Sequence, residues 1–205
     1  MTFAAEALVC VRGDRQVFED LSFSAAPGVA LQIEGPNGAG KSSLLRLASG
    51  LLRPAAGRLT WDGADIAADP DAHRARLIYV GHADPVKPVL TVLENLAFWG
   101  RLRGGRAEAA RAALDRLGIG RLGPVPARFL SAGQRRRLNL ARLLMQPAKL
   151  WLLDEPTSTL DRTVAPVIAE IIAEHCAAGG IVLVSTHGEL GLKNAAFLKF
   201  PERAA

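Results

Sequence analysis

The chain has 205 residues, 49% hydrophobic and 22% charged, with a net charge of +5. That length suits one α/β domain with a real core, and that balance excludes a disordered chain. No apolar run approaches the roughly 20 residues a bilayer span requires, and the positive charge admits nucleic acid, an anionic membrane surface or a nucleotide as partner.

Taken in order, residues 7–11 and 17–23 read as short strands around the turn pair Gly13-Asp14. Val29–Glu34 is an apolar strand. Ser43–Ser49 has helical spacing of Leu44, Leu45, Leu47 and Ala48, and Pro54 and Gly57 are expected to end that region. Arg58–Trp61, Asp62-Gly63 and Ala64–Ile66 make a hairpin with a tight turn. Leu77–Val80 is a short strand, followed by an irregular stretch, 81–88, rich in breakers. Thr91 with Glu94 forms a capping box for a helix to about Arg103, and Gly104-Gly105 breaks it. A second helix spans Arg106–Leu117, ended by Gly118, and a loop with Pro124 and Pro126 follows. Ser131 caps a third helix to about Met145, with Leu138, Ala141, Leu144 and Met145 on one face. Leu150–Leu153 is a fully apolar strand, Val164–Ala178 a helix with Pro166 in its first turn, Ile181–Ser185 a buried strand, and Asn194–Phe200 the last strand. Apolar strands alternating with helices predict a parallel sheet covered on both faces.

Met1–Val11 has no basic residue ahead of its apolar stretch, so no secretory signal is read and a cytoplasmic protein is expected. Cys10 and Cys176 lie far apart with no CxxC, which reads as two free buried thiols. Residues 92–128 hold seven arginines against three carboxylates, a local excess of +4. That excess is either a solvated helix face or an anion-seeking surface.

Gly35-Pro36-Asn37-Gly38-Ala39-Gly40-Lys41-Ser42 matches G-x-x-x-x-G-K-[ST], between a strand and a helix. The glycines let the backbone wrap with its N–H groups toward phosphate oxygens, and the helix beginning there adds its positive dipole end. Lys41 is placed to reach the β- and γ-phosphates, and the Ser42 hydroxyl to reach Mg²⁺, with Ser43 next in the helix. The competing reading is a glycine turn capping an ordinary helix. Leu150–Glu155 is an apolar strand ending in two carboxylates. A place beside the strand that feeds the phosphate loop would set Asp154 near Mg²⁺ and Glu155 near an attacking water. Leu130-Ser131-Ala132-Gly133-Gln134 opens a helix with free N–H groups and a hydroxyl, an anion seat that is weak by itself.

In this order the motifs resemble the nucleotide-binding subunit of an ABC transporter over nearly the whole chain. The P-loop is Gly35–Ser42. The signature, usually LSGGQ, is Leu130–Gln134 with Ala132 replacing a glycine. Walker B ends at Asp154 with Glu155 as catalytic glutamate, the D-loop is Ser158-Thr159-Leu160-Asp161, and the switch histidine is His187 in Ser185-Thr186-His187. The resemblance implies an α/β fold: a P-loop NTPase core with an antiparallel β-subdomain and a small α-helical subdomain at about 88–145. It implies ATP hydrolysis with Mg²⁺ in a head-to-tail homodimer. One copy would supply Lys41, Ser42, Asp154, Glu155 and His187, and the other Ser131, Gly133 and Gln134, with the D-loop's Asp161 also at the nucleotide.

Two departures stand out. The family has a glutamine after the strand at 77–80 that contacts Mg²⁺ and water, and His82 stands there. It is either a loop bystander or a titratable group on the γ-phosphate side. Where the family stacks an aromatic on adenine stand Arg12 and its neighbours. Either an arginine plane stacks on the base, or the base contact is weak. With Tyr79-Val80-Gly81-His82, Lys87-Pro88, Leu90-Thr91-Val92, Glu94-Asn95-Leu96, Phe98-Trp99 and Ser131–Arg137, the chain looks like the ATP-binding subunit of the heme exporter of bacterial cytochrome c maturation. That likeness implies integral membrane permease subunits as partners, a functional link to a periplasmic heme chaperone, and a peripheral place on the cytoplasmic face of the inner membrane. The alternatives are the ATPase of another small-solute transporter and a soluble ABC ATPase acting on nucleic acid. Against the latter, the chain has no long coiled-coil insertion and no second cassette. A P-loop kinase is more distant, having no use for the signature or for His187.

Overall fold

A computed structural model describes residues 1–102, 109–145, 147–161, 163–186, 190–192 and 194–200. β1 (Phe3–Arg12) and β2 (Arg15–Ala25) pair around Gly13-Asp14, with Gly13 at φ +60°. Both strands are longer than expected: β2 adds Arg15, Gln16 and Ser24, which face water and carry no hydrophobic signal, whereas β1 adds the buried Phe3 and Ala5. β4 (Ala56–Trp61) and β5 (Ala64–Asp65) complete an antiparallel sheet in the order β2-β1-β4-β5. The β4–β5 turn has Asp62 at φ +51° and Gly63 at φ +80°, the two left-handed residues a tight hairpin turn demands.

The second sheet is wholly parallel, in the order β6 (Leu77–Val80), β7 (Leu150–Asp154), β8 (Ile181–Ser185), β3 (Ala30–Glu34), β9 (Ala195–Lys199). β7 therefore does not lie beside the phosphate-loop strand β3, as expected from sequence; β8 runs between them. The continuous apolar runs mean that both faces are covered, and the alternation is clean. Leu150 and Leu152, with Ile181, Leu183, Leu31 and Ile33, belong to one core, and Trp151, Leu153, Val182 and Val184 to another. The first core is shared with the antiparallel sheet and α1 (Lys41–Ala48). The second is closed by α3 (Val92–Leu102), α4 (Ala109–Arg116), α5 (Ala132–Ala141) and α6 (Ala165–Ala177).

Helix ends follow local chemistry. α1 stops at Ser49, before Pro54, because Gly50 at φ +73° turns the chain left-handed. Leu51 and Gly50 then donate back to the Arg46 and Leu47 carbonyls. Gly118, at φ +68°, ends the segment after α4 in the same way, with Ile119 donating to Leu114. Thr91 and Glu94 make the expected reciprocal cap of α3. A short helix, α2 (Pro70–Ala75), was absent from the sequence reading, although Asp69 caps it at Ala72 N and Pro70 opens it. α5 gives way to a 3-10 turn at Arg142–Leu144. Cys10 and Cys176 are free and buried, as expected. Gly104, Gly105 and the predicted helix start at Arg106 lie outside the described residues, as does His187.

Candidate functional site

The cradle is built where β3 meets α1. Gly35, Gly38 and Gly40 hold φ of +151°, +77° and +117°. A Cβ on Gly40 would meet Val17 at 2.8 Å, and one on Gly35 would meet Phe200 at 2.8 Å, whereas one on Gly38 would meet nothing within 4 Å. Two glycines are thus forced by packing behind the loop, and the third leaves its concave side open. Pro36, Asn37 and Gly38 are exposed, and Ala39 is buried beneath them. Lys41 is buried, and its ammonium donates to the carbonyls of Gly35 (2.6 Å) and Pro36 (3.0 Å). Burial pushes its pKa down, and the charges of Glu155 and Asp154 pull it back up.

The two carboxylates reach this loop although β8 intervenes, because α1 packs on the sheet face against both β7 and β8. The Ser42 hydroxyl donates to Asp154 Oδ1 at 3.1 Å, and the buried Ser185 hydroxyl donates to the same oxygen at 2.7 Å. A hydroxyl and a carboxylate side by side at a phosphate cradle are hard oxygen donors of the kind Mg²⁺ takes, so Ser42 and Asp154 would hold that ion. Glu155 stands at φ +45°, a strained conformation for a non-glycine residue. Its N–H donates to the Ser185 carbonyl and hydroxyl, both at 3.1 Å.

A cleft of about 300 Å³ opens at the loop. It is lined by Asn37, Gly38 and Gly40–Ser43 of the loop, by Glu155, and by Arg12, Arg15 and Val17 from the β1–β2 hairpin. Arg12 thus lies in the cleft, and Arg15, not singled out in the sequence, lies there too. Ser43, at the edge of the cleft, also hydrogen-bonds the Cys10 thiol. His82 is exposed in the loop after β6 and does not line this cleft.

The signature residues are elsewhere. Ser131, Gly133 and Gln134, with Arg137, Thr159 and Asp161, line a separate cavity of about 310 Å³ that shares no residue with the loop cleft. Ser131 accepts from Gln134 N and Gln134 Oε1 accepts from Ser131 N, a capping box that leaves the helix start ordered. Asp161 accepts from Arg137 at 2.9 Å. Ala132 is tolerated in place of glycine because it is exposed, whereas a Cβ on Gly133 would meet the Thr159 carbonyl at 3.1 Å. A larger apolar groove, about 900 Å³, lies between α6 and Leu190, Gly191, Leu192 and Asn194 and contains none of these groups.

Sequence reading missed three residues that hold the site. Ser185 orients Asp154. Asp84 accepts from Asn139 (2.7 Å) and Arg136 (3.2 Å). Arg136, 2% exposed, stands within a run of three arginines that gave no sign which one turns inward.

A glycine cradle with an invading lysine, a carboxylate-tipped parallel strand and a separate serine-headed helix define a P-loop nucleotide-binding protein. The chain belongs to the ABC transporter family, which matches residues 18–158, and it binds ATP. More narrowly, it is 55% identical to the cytochrome c biogenesis ATP-binding export protein CcmA of Rhodospirillum rubrum, over 99% of this chain and 90% of that one. It is 54% identical to the CcmA of Paramagnetospirillum magneticum, over 95% and 91%. Among solved structures, an ATP-binding subunit of an ABC transporter superposes with a TM-score of 0.86 at 25% identity, over 98% of this chain and 86% of the other. A Pyrococcus furiosus protein described as a putative ABC transporter ATP-binding protein shares the fold, with a TM-score of 0.85 at 24% identity and 98% of each chain covered.

Proposed function

We propose that the chain is the ATP-hydrolysing subunit that energises the heme exporter complex of c-type cytochrome biogenesis. It would sit peripherally on the cytoplasmic face of the bacterial inner membrane. The observation that carries the reading is the placing of Ser42 and Glu155 in the cleft at the phosphate loop, with Asp154 bonded to Ser42 behind it, together with relatives at 54–55% identity over nearly the full length.

In this reading Lys41 leaves the Gly35 and Pro36 carbonyls and donates instead to the β- and γ-phosphates of ATP. Ser42 and Asp154 hold Mg²⁺, which when bound offsets phosphate charge. Glu155 accepts a proton from, or orients, the attacking water. His187 and Lys41 stabilise charge on the transferring phosphoryl group. Arg12 and Arg15 hold the nucleotide from the hairpin side. Because Ser131, Gly133, Gln134 and Asp161 lie apart from the loop cleft of their own chain, they serve the nucleotide of a second copy, in a head-to-tail homodimer. The segment from His82 to Ser131, within the proposed helical subdomain 88–145, docks on the integral membrane subunits. Its excess of arginine suits an anionic leaflet. A periplasmic heme chaperone acts downstream, and nucleic acid has no part.

Glu155→Gln tests the catalytic assignment. ATP should still bind, and turnover should fall by about a hundredfold or more. Full ATPase activity in that variant contradicts the role given to Glu155.

A further inference from the structure

Arg136 projects inward from α5, three residues past the signature's Gly133, and is 2% exposed. Its guanidinium donates to five acceptors. Three are consecutive backbone carbonyls at the end of β7: Asp154 at 2.6 Å, Glu155 at 2.9 Å and Pro156 at 3.3 Å. The others, the Gly81 carbonyl at 2.6 Å and Asp84 Oδ1 at 3.2 Å, belong to the loop after β6. A planar fork of five N–H donors is the one side chain that can satisfy such a set at once. The peptide it grips is the strained one, since Glu155 is held at φ +45°. Outside that grip, the left-handed conformation would relax and carry the Glu155 carboxylate with it.

The contacts continue outward. Asp84 accepts from Asn139 at 2.7 Å, Asn139 accepts from Arg142 at 2.7 Å, and Arg142 lies 3.9 Å from the ring centre of half-buried Trp99 on α3. One unbroken series of contacts thus joins α3, the signature helix and the loop after β6 to the backbone of Glu155.

We propose that Arg136 is a positioning residue for hydrolysis: it locks the strained Glu155 peptide in register with the signature helix and the Asp84 loop, so that displacement of either shifts the carboxylate. This rests on the reading of Glu155 as the group that prepares the water. Arg136 meets the cleft only through the backbone carbonyl of Glu155 and does not itself line it, so its loss should separate chemistry from binding. A misplacement of about 1 Å is enough to cost about a hundredfold in rate.

The test is a double-mutant cycle in the intact membrane complex, read as kcat, KM and ATP dissociation constant, with thermal midpoints as a check on folding. Arg136→Gln should lower kcat by about tenfold to a hundredfold and leave the dissociation constant for ATP within about twofold. Added to Glu155→Gln it should lower residual turnover no further, because the residue it positions is already gone. A wild-type kcat in Arg136→Gln, or losses that multiply in the double variant, overturns the proposal. Should Arg136→Gln not fold, Asp84→Asn decides. It removes the charge that orients the fork, and the expected result is a several-fold drop in kcat at unchanged ATP affinity that vanishes in the Glu155→Gln background. Full turnover there overturns the proposal equally. Full turnover in Glu155→Gln alone is a different result, which removes the role given to Glu155 itself.

Discussion

Single side chains carry the chemistry here through what holds them. Asp154 is kept at the phosphate loop by two hydroxyls, Ser42 from α1 and Ser185 from β8. His175 shows the reverse case, a titratable group with no part in the site. It stacks on Trp151 at 3.7 Å, and burial pushes its pKa from 6.5 down to about 4. The folded state therefore keeps it neutral, while the unfolded chain protonates it near 6.5. The stability this gives is fully present above pH 6.5 and is lost as pH falls through about 4, a loss of up to about 3 kcal/mol. His175→Phe keeps a ring against Trp151 and removes the proton. Urea unfolding at pH 7 and pH 4.5 should then show a smaller acid loss than in the native chain. His73, also held down by burial, adds a remaining slope of the same sign. An equal acid loss in both proteins contradicts the assignment.

Among the elements, α1 and α5 each begin at a motif, but they begin differently. α1 starts at left-handed Gly40 with no side-chain cap, leaving its first N–H groups for phosphate. α5 starts at Ser131 inside a closed capping box. Ser131→Ala should therefore cost about 1 kcal/mol in urea unfolding. It should also cut turnover while leaving the ATP affinity of one isolated copy unchanged, because Ser131 does not line that copy's own cleft. A loss of affinity in the isolated copy contradicts that separation. The strands and long helices were legible because their apolar periods are strong, and the phosphate loop because glycine spacing is nearly unique to it. α2 was not, being six residues long with no apolar stripe to read. Arg136 was not, because burial of one arginine among three depends on acceptors that come from β6 and β7, far off in the chain.

Over the whole molecule, the parallel sheet separates two cores, and that division sets the geometry of the site. α1 and the antiparallel sheet lie on one face, the signature helix on the other. β8 between β7 and β3 is the one placement that sequence order misjudged, since strand sequence says nothing of lateral order. The consequence is that one copy has a loop cleft and a signature cavity with no residue in common. The central claim is that two copies complete each other's sites. Its most direct measurement is cross-linking between Asn37→Cys in one copy and Ala132→Cys in the other, both exposed positions. The background is Glu155→Gln, with membrane subunits present. The account predicts a cross-linked dimer that forms with ATP and Mg²⁺ and not without them. No cross-link at saturating ATP, or one that ignores ATP, contradicts it.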